Sequence, residues 1–142
     1  MTLRALRIAV FVLISACPFM ASPTYAKTYP QDLPTKMNPE IVTGGVSDQS
    51  EAQINYIQHH YSVKITFVGI GGIYLDSINV TIDDKYQNRI INTTTDGPIL
   101  LADLSPGRYT VTAELEGHTI KQTIQANKTG LRQYTLRFPI GE

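Results

Sequence analysis

The sequence predicts an all-β protein in which one short α-helix is followed along the chain by seven strands that form a two-layered sandwich. Two observations favour strands. Apolar and polar residues alternate along most of the chain after Tyr61, and residues typical of turns separate the alternating runs at regular intervals. A third observation, a stripe of apolar residues at helical spacing just before the alternation starts, predicts the helix.

The first 26 residues have the composition of a secretory signal peptide. Two arginines precede the apolar run 8–15, and Thr24 and Ala26 are small residues at the −3 and −1 positions of a cleavage site. The apolar run is shorter than the about 20 residues that span a bilayer. We therefore expect an exported, periplasmic protein whose mature chain begins at Lys27.

Cys17 leaves a second form of export open. The stretch "ISAC" at residues 14–17 resembles a bacterial lipobox, in which the cysteine is acylated and becomes the new N-terminus. In that alternative the protein is a structural envelope lipoprotein anchored in a membrane through Cys17. Pro18 and the cleavage site at Ala26 instead favour removal of Cys17 with the signal peptide. The folded part has no cysteine in either form, so its apolar core must hold it together.

Two segments precede the strands. Residues 27–46 contain three prolines and a Gly-Gly pair without periodicity, which predicts an irregular or extended lead-in. Residues 47–60 are predicted to form the helix, and Asp48 with Glu51 has the spacing of a capping box at its start.

The predicted helix must pack on the rest of the domain, because a helix of about three turns is marginal alone in water. Ile54, Ile57 and Tyr61 recur at helical spacing and form the face that would be buried.

Residues 61–139 contain the seven predicted strands. Successive side chains of a strand point to opposite faces, so one set of alternate residues is expected to form the core. The expected core residues are Tyr61, Val63, Ile65, Phe67, Ile78, Val80, Ile82, Tyr109, Val111, Ala113, Leu115, Ile120, Ile124, Tyr134, Leu136 and Phe138. Between two strands, Pro106 followed by Gly107 predicts a type II turn.

The segment 95–138 resembles the carboxypeptidase regulatory-like domain. That family has an Asp-Gly turn, an apolar strand, a corner of the form L-x-P-G-x-Y-x-V and a later glycine. The matching positions here are Asp96, Gly97, Leu104, Pro106, Gly107, Tyr109, Val111 and Gly117. Residues 44–84 further resemble small exported proteins of Gram-negative bacteria.

The resemblance implies a seven-stranded immunoglobulin-like or transthyretin-like β-sandwich. Domains of this family are usually accessory, so it also implies a non-catalytic binding or accessory module of the bacterial cell envelope. An alternative is a small hydrolase, because transthyretin-like scaffolds include the 5-hydroxyisourate hydrolases. Those enzymes end in a "YRGS" tail, whereas this chain ends in "FPIGE". The hydrolase alternative requires His60 or His118 to cluster with Arg108 or Arg132.

Composition and motifs exclude several other classes. Lys plus Arg equals Asp plus Glu at 12 each, so no excess positive charge exists to bind a nucleic-acid backbone. The three histidines lack the spacing of a metal site, and the aspartates lack the order of a calcium loop. "GIGG" at residues 69–72 lacks the spacing of a dinucleotide fingerprint. We therefore expect no catalytic residue, no metal and no cofactor.

The remaining candidates for binding lie in loops. Tyr74 and Asp76 belong to the predicted loop 69–76, and Tyr86 belongs to the predicted loop 83–88. Open sheet edges can also accept a strand from a partner. The sequence therefore predicts contact with an envelope protein or peptide through one of these loops or through an edge.

Overall fold

Eight strands form two four-stranded sheets in the computed structural model, which describes residues 38–141. Sheet A contains, in spatial order, β1 (Ile41–Gly44), β5 (Ile99–Ala102), β2 (Val63–Val68) and β8 (Arg132–Arg137). Sheet B contains, in spatial order, β4 (Arg89–Thr94), β3 (Asn79–Asp83), β6 (Gly107–Leu115) and β7 (His118–Ala126). The expected signal peptide with Cys17, and residues 27–37 of the lead-in, lie outside the described residues.

The prediction of seven strands was wrong by one, because the predicted lead-in contains β1. This strand has only Ile41 and Val42 as large apolar residues, and a Gly-Gly pair follows them. Its sequence has no alternation of its own. β1 forms through antiparallel pairing with β5, in which Ile41 lies opposite Ala102 and Gly44 lies opposite Ile99.

The pairing of β2 with β8 is parallel, and all other strand pairs in the described part of the chain are antiparallel. Val68 at the end of β2 lies opposite Arg137 at the end of β8. Both strands therefore leave sheet A at the same end of the sandwich, where the loop after β2 begins.

The inner faces of the two sheets form the main core, as the alternation predicted. Its buried residues are Val63, Ile65, Phe67, Ile78, Val80, Ile82, Ile91, Leu100, Ala102, Leu104, Tyr109, Val111, Ala113, Ile124, Ala126, Leu136 and Phe138. Leu115, Ile120 and Tyr134, which were also expected in the core, are only half-buried at its margin. A large apolar side chain buried here stabilises the fold by roughly 1.5–3 kcal/mol.

The helix α1 (Asp48–Ile57) is shorter than the predicted 47–60, and a 3₁₀ turn at Gln58–His60 follows it. The predicted cap is also wrong by one residue. The cap is Ser47, whose Oγ accepts a hydrogen bond from the Ser50 N–H at 3.3 Å. Ser47 has the extended backbone that a cap needs, whereas Asp48 is already helical.

The helix packs on the outer face of sheet A. Ile54 and Tyr61 form a second buried cluster with Ile99 and Leu101 of β5, and Ile57 lies at its edge. The predicted apolar stripe is thus buried. Tyr61, however, packs under the helix and not in the main core, because it precedes the first residue of β2.

The central strand β5 is buried on both faces as a result. Leu100 and Ala102 point into the main core, while Ile99 and Leu101 lie under the helix. A strand covered on both sides needs apolar residues at successive positions and shows no alternation. This explains the continuous apolar run in the sequence at residues 98–102.

A tyrosine corner joins β5 to β6. The Tyr109 hydroxyl donates a hydrogen bond to the Ser105 carbonyl oxygen at 2.6 Å, which closes the bend that Pro106 begins. The predicted type II turn is wrong. Gly107 has φ +159°, close to extended backbone, and it is the first residue of β6, opposite Ala126.

The tyrosine corner predicts the effect of Tyr109→Phe. This change removes one hydroxyl and leaves the buried ring in place, so it should lower the free energy of unfolding by about 1 kcal/mol. Urea denaturation measures the loss. Tyr74→Phe is the matched control, because Tyr74 is exposed. Equal unfolding free energies for Tyr109→Phe and the unmodified chain would refute the corner as a stabilising contact.

Candidate binding surface

The structure separates the three predicted binding residues. Tyr74 and Asp76 lie in the connection between β2 and β3, at the end of the sandwich where β2 ends. Tyr86 lies in the connection between β3 and β4. The two positions are separated by the length of β3, which is roughly 13 Å. We call the end with Tyr74 the loop end and the other the opposite end.

At the loop end, residues 69–74 form a tight loop, named here the apolar loop. The Gly69 N–H donates to the Ile73 carbonyl oxygen at 2.7 Å, and a 3₁₀ turn at Ile70–Gly72 lies between them. Gly71 and Gly72 have φ values of +73° and +82°, a region that side chains other than glycine rarely adopt. The sequence "GIGGIY" therefore forms this turn without strain.

The rest of the domain holds the apolar loop on both sides. The Ile70 N–H donates to the Ile140 carbonyl oxygen at 2.9 Å, and the Leu75 N–H donates to the Phe67 carbonyl oxygen at 3.2 Å. Gly69 lies directly against the Ile140 carbonyl, where a Cβ atom would overlap the oxygen. The loop is thus attached to β2 and to the segment after β8.

Three large apolar side chains point outward from the apolar loop. Ile70 is 57% exposed, Ile73 is 43% exposed and Tyr74 is 63% exposed. They are half of the six large apolar side chains that are exposed among residues 38–141. The sequence singled out Tyr74, whereas Ile70 and Ile73 were included only as unnamed members of the predicted loop 69–76.

Beside the apolar loop lies an open cleft of about 330 Å³. Its apolar lining comes from Tyr74, Leu75, Leu115 and Ile140. Its polar lining comes from Asp76, Ser77 and Glu116, with Gly141 completing the wall. The Ser77 hydroxyl donates to Oδ1 of Asp76 at 3.1 Å.

Glu116 reaches the cleft because of the hairpin between β6 and β7. Leu115 lies opposite His118, so Glu116 and Gly117 form a two-residue connection. Their φ values are +50° and +77°, as a type I′ turn requires. An "EG" pair is typical of a turn, but only the fold shows that Glu116 and Asp76 line one cleft.

At the opposite end, the predicted loop 83–88 is organised by Asp84. One carboxylate oxygen accepts the N–H groups of Tyr86 at 2.8 Å and Asn88 at 2.9 Å, and the other accepts the Asn88 side-chain amide at 3.1 Å. Asp84 is only 7% exposed. Tyr86 itself is 64% exposed and lies under the Lys85 ammonium, which is 4.9 Å from its ring centre.

The electrostatics of Asp84 favour its ionised form. Burial alone would raise the pKa of this carboxyl, but hydrogen bonds from Asn88 and Tyr86 and the charge of Lys85 outweigh burial and lower the pKa below its ordinary value. Burial raises the pKa of the Tyr109 hydroxyl, and the negative charge of Asp84 raises it further. Asp84 therefore has a structural role in this loop.

Two residues of the hydrolase alternative, His60 and Arg108, line different clefts. Arg132 begins β8, and its backbone N–H donates to the carbonyl oxygen of Ser62, which lines the same cleft as His60. His60 lines a cleft of about 320 Å³ together with His59, Asp103 and Lys128. Arg108 lines a separate groove with Gln125 and Tyr134. His118 begins β7, whereas Arg108 lies near the start of β6, at the other end of the same strand pair.

Two further features of residues 38–141 concern metals and membranes. No group of three or more His, Cys, Asp or Glu side chains in this range is arranged to hold a metal ion. Within the same range, no helix has the length and apolar character needed to cross a membrane.

Comparison with known proteins finds little similarity in sequence or structure. No protein-family model matches the chain, and no curated protein matches it either. Among solved structures, the Bacillus anthracis TIE protein aligns with 17% sequence identity and a TM-score of 0.45. The alignment covers 55% of this chain and 16% of the TIE protein. Likeness at this level bears on neither family nor activity.

The Asp84 hydrogen bonds predict how stability depends on pH. Because the pKa is lowered in the folded state, the stabilisation is complete above the ordinary carboxyl pKa of about 3.9. It is lost as the pH falls through the lower pKa of the folded protein. Asp84→Asn should therefore weaken the loss of stability on acidification, measured by urea denaturation across the acid range.

Asp76→Asn is the control for this measurement, because Asp76 is exposed and receives one hydrogen bond from Ser77. An acid dependence that is the same in Asp84→Asn and in the unmodified chain would contradict the role given to Asp84.

Proposed function

We propose that this chain is an exported, non-catalytic binding module of the bacterial cell envelope, which holds a partner protein or peptide at its loop end. The observation that carries the proposal is the apolar loop, where Ile70, Ile73 and Tyr74 are exposed together on a hydrogen-bonded turn. Exposed apolar side chains grouped in one place are typical of interaction sites, whereas scattered ones are not.

The architecture supports an accessory role. Two packed sheets with the tyrosine corner agree with the immunoglobulin-like or transthyretin-like sandwich that the carboxypeptidase regulatory-like resemblance implies. In such a domain the strands form a rigid scaffold, and recognition is assigned to the loops at one end. The apolar loop fits that description better than the loop with Tyr86, because in that loop the buried Asp84 carboxylate accepts hydrogen bonds from the loop's own backbone.

Site-specific photo-crosslinking in living cells tests the proposal. A photo-reactive amino acid replaces Tyr74 in one version of the full chain and Tyr86 in a second version. The two tyrosines are equally exposed, at 63% and 64%, so they form a matched pair. We expect a discrete crosslinked product from position 74 and none from position 86.

Two outcomes would contradict the proposal. Absence of any product at position 74 would argue against a partner at the loop end, and a product only at position 86 would move the binding surface to the opposite end. Ile70→Ser combined with Ile73→Ser should abolish the product at position 74 without lowering the stability of the domain, because both side chains are already exposed.

The proposed export route makes a separate prediction about the mature N-terminus. Mass spectrometry of the protein purified from cells should find a chain that begins at Lys27, as cleavage after Ala26 requires. A chain that begins with an acylated Cys17 would instead establish a membrane-anchored lipoprotein and would refute the free periplasmic form.

A further inference from the structure

The loop end is acidic. The strand registers and the start of the helix place six carboxylates at or next to this end of the sandwich, and they are Asp48, Glu51, Asp76, Asp96, Glu114 and Glu116. Among residues 38–141, the strand registers place Arg137 opposite Val68 at this end, and Lys121 lies further along β7, diagonal to Glu114. His118, opposite Leu115, is the histidine at this end. The whole chain is formally neutral, so this excess of negative charge is local.

The charge and the apolar surface are adjacent. Asp76 and Glu116 line the same cleft as Tyr74, and that cleft has no Lys, Arg or His in its lining. The tip of the apolar loop, at residues 70–73, contains only isoleucine and glycine. An incoming group therefore meets an apolar surface on one side and two carboxylates on the other.

We infer that the partner is a protein segment in which an apolar side chain stands next to a lysine or arginine. This inference rests on the proposed function and names the chemistry of its partner. The apolar side chain contacts Ile70 and Ile73, and the cation lies in the cleft between Asp76 and Glu116. Burial of apolar surface supplies affinity, while the opposite charges orient the segment and speed its encounter.

A protein segment fits this surface better than a lipid surface does. The anionic lipids of a membrane would be repelled by the carboxylates around the apolar loop. A cationic segment is attracted by the same groups, and at low ionic strength this attraction extends over more than about 10 Å.

Two matched synthetic peptides test the inference by nuclear magnetic resonance titration of the exported domain. In the first peptide, leucine–lysine pairs alternate with glycine. In the second, glutamate replaces each lysine. We expect the lysine peptide to shift the amide resonances of Ile70, Ile73 and Tyr74, and the glutamate peptide to bind at least about tenfold more weakly.

Variants separate the two parts of the contact. Asp76→Asn and Glu116→Gln should each weaken binding of the lysine peptide about two- to fivefold at low salt, because each removes one exposed ion pair. Asp83→Asn is the matched control, since it removes one negative charge at the opposite end and should leave the affinity unchanged. Ile70→Ser combined with Ile73→Ser should weaken binding about tenfold or more.

Several results would overturn the inference. Binding of both peptides with equal affinity, or no effect of Asp76→Asn and Glu116→Gln, would show that the partner needs no cation. The proposed function would remain intact. Binding that survives the two isoleucine changes would show unspecific attraction. Failure of the lysine peptide to bind, or binding of anionic lipid vesicles that depends on Ile70 and Ile73, would also refute it. Absence of a position-74 crosslink in the chain that keeps Ile70 and Ile73 is the separate result that would refute the proposed function.

Discussion

The burial of β5 on both faces is the constraint on which the rest of the structure depends. Leu100 contributes to the main core, and Leu101 is covered by the helix, so the strand is fully withdrawn from water. β5 pairs with β1 on one side and with β2 on the other. Because two-sided burial fixes β5, it also fixes β2, and β2 leads directly into the apolar loop at Val68. The exposed surface at the loop end is therefore a continuation of the most buried part of the domain.

This continuity explains how an apolar loop can remain exposed in a folded domain. Its glycines provide the turn, and hydrogen bonds to Phe67 and Ile140 hold it, so the isoleucines cannot fold back into the core. A loop that is already ordered loses little conformational entropy when a partner binds. The loop at the opposite end is also ordered by hydrogen bonds, but these join Asp84 to the backbone of Tyr86 and Asn88 within the same loop.

The sequence predicted what depends on local periodicity and missed what depends on pairing across the chain. Alternation identified the later strands and which alternate residues of each strand face the core. Helical spacing identified Ile54 as buried. β1 was missed because its four residues become a strand only beside β5. Gly107 was assigned to a type II turn because Pro-Gly is typical of one, whereas in the structure Gly107 begins β6 and the Tyr109 hydroxyl bonds back to Ser105. For the site, the sequence named Tyr74 and Asp76, which line one cleft in the structure. Alternation along a strand, however, does not predict whether Ile70 and Ile73 in a loop are buried or exposed.

The central claim is that the apolar loop is an ordered platform fixed to the core. Amide hydrogen exchange of the exported domain tests it most directly at Gly69, Ile70 and Leu75, whose N–H groups donate to Ile73, Ile140 and Phe67. We predict that these amides exchange far more slowly than those of an unstructured chain, with protection close to that of β2. Exchange of all three at the rate of an unstructured chain would contradict the claim, because the side chains of Ile70, Ile73 and Tyr74 would then have no fixed arrangement to present.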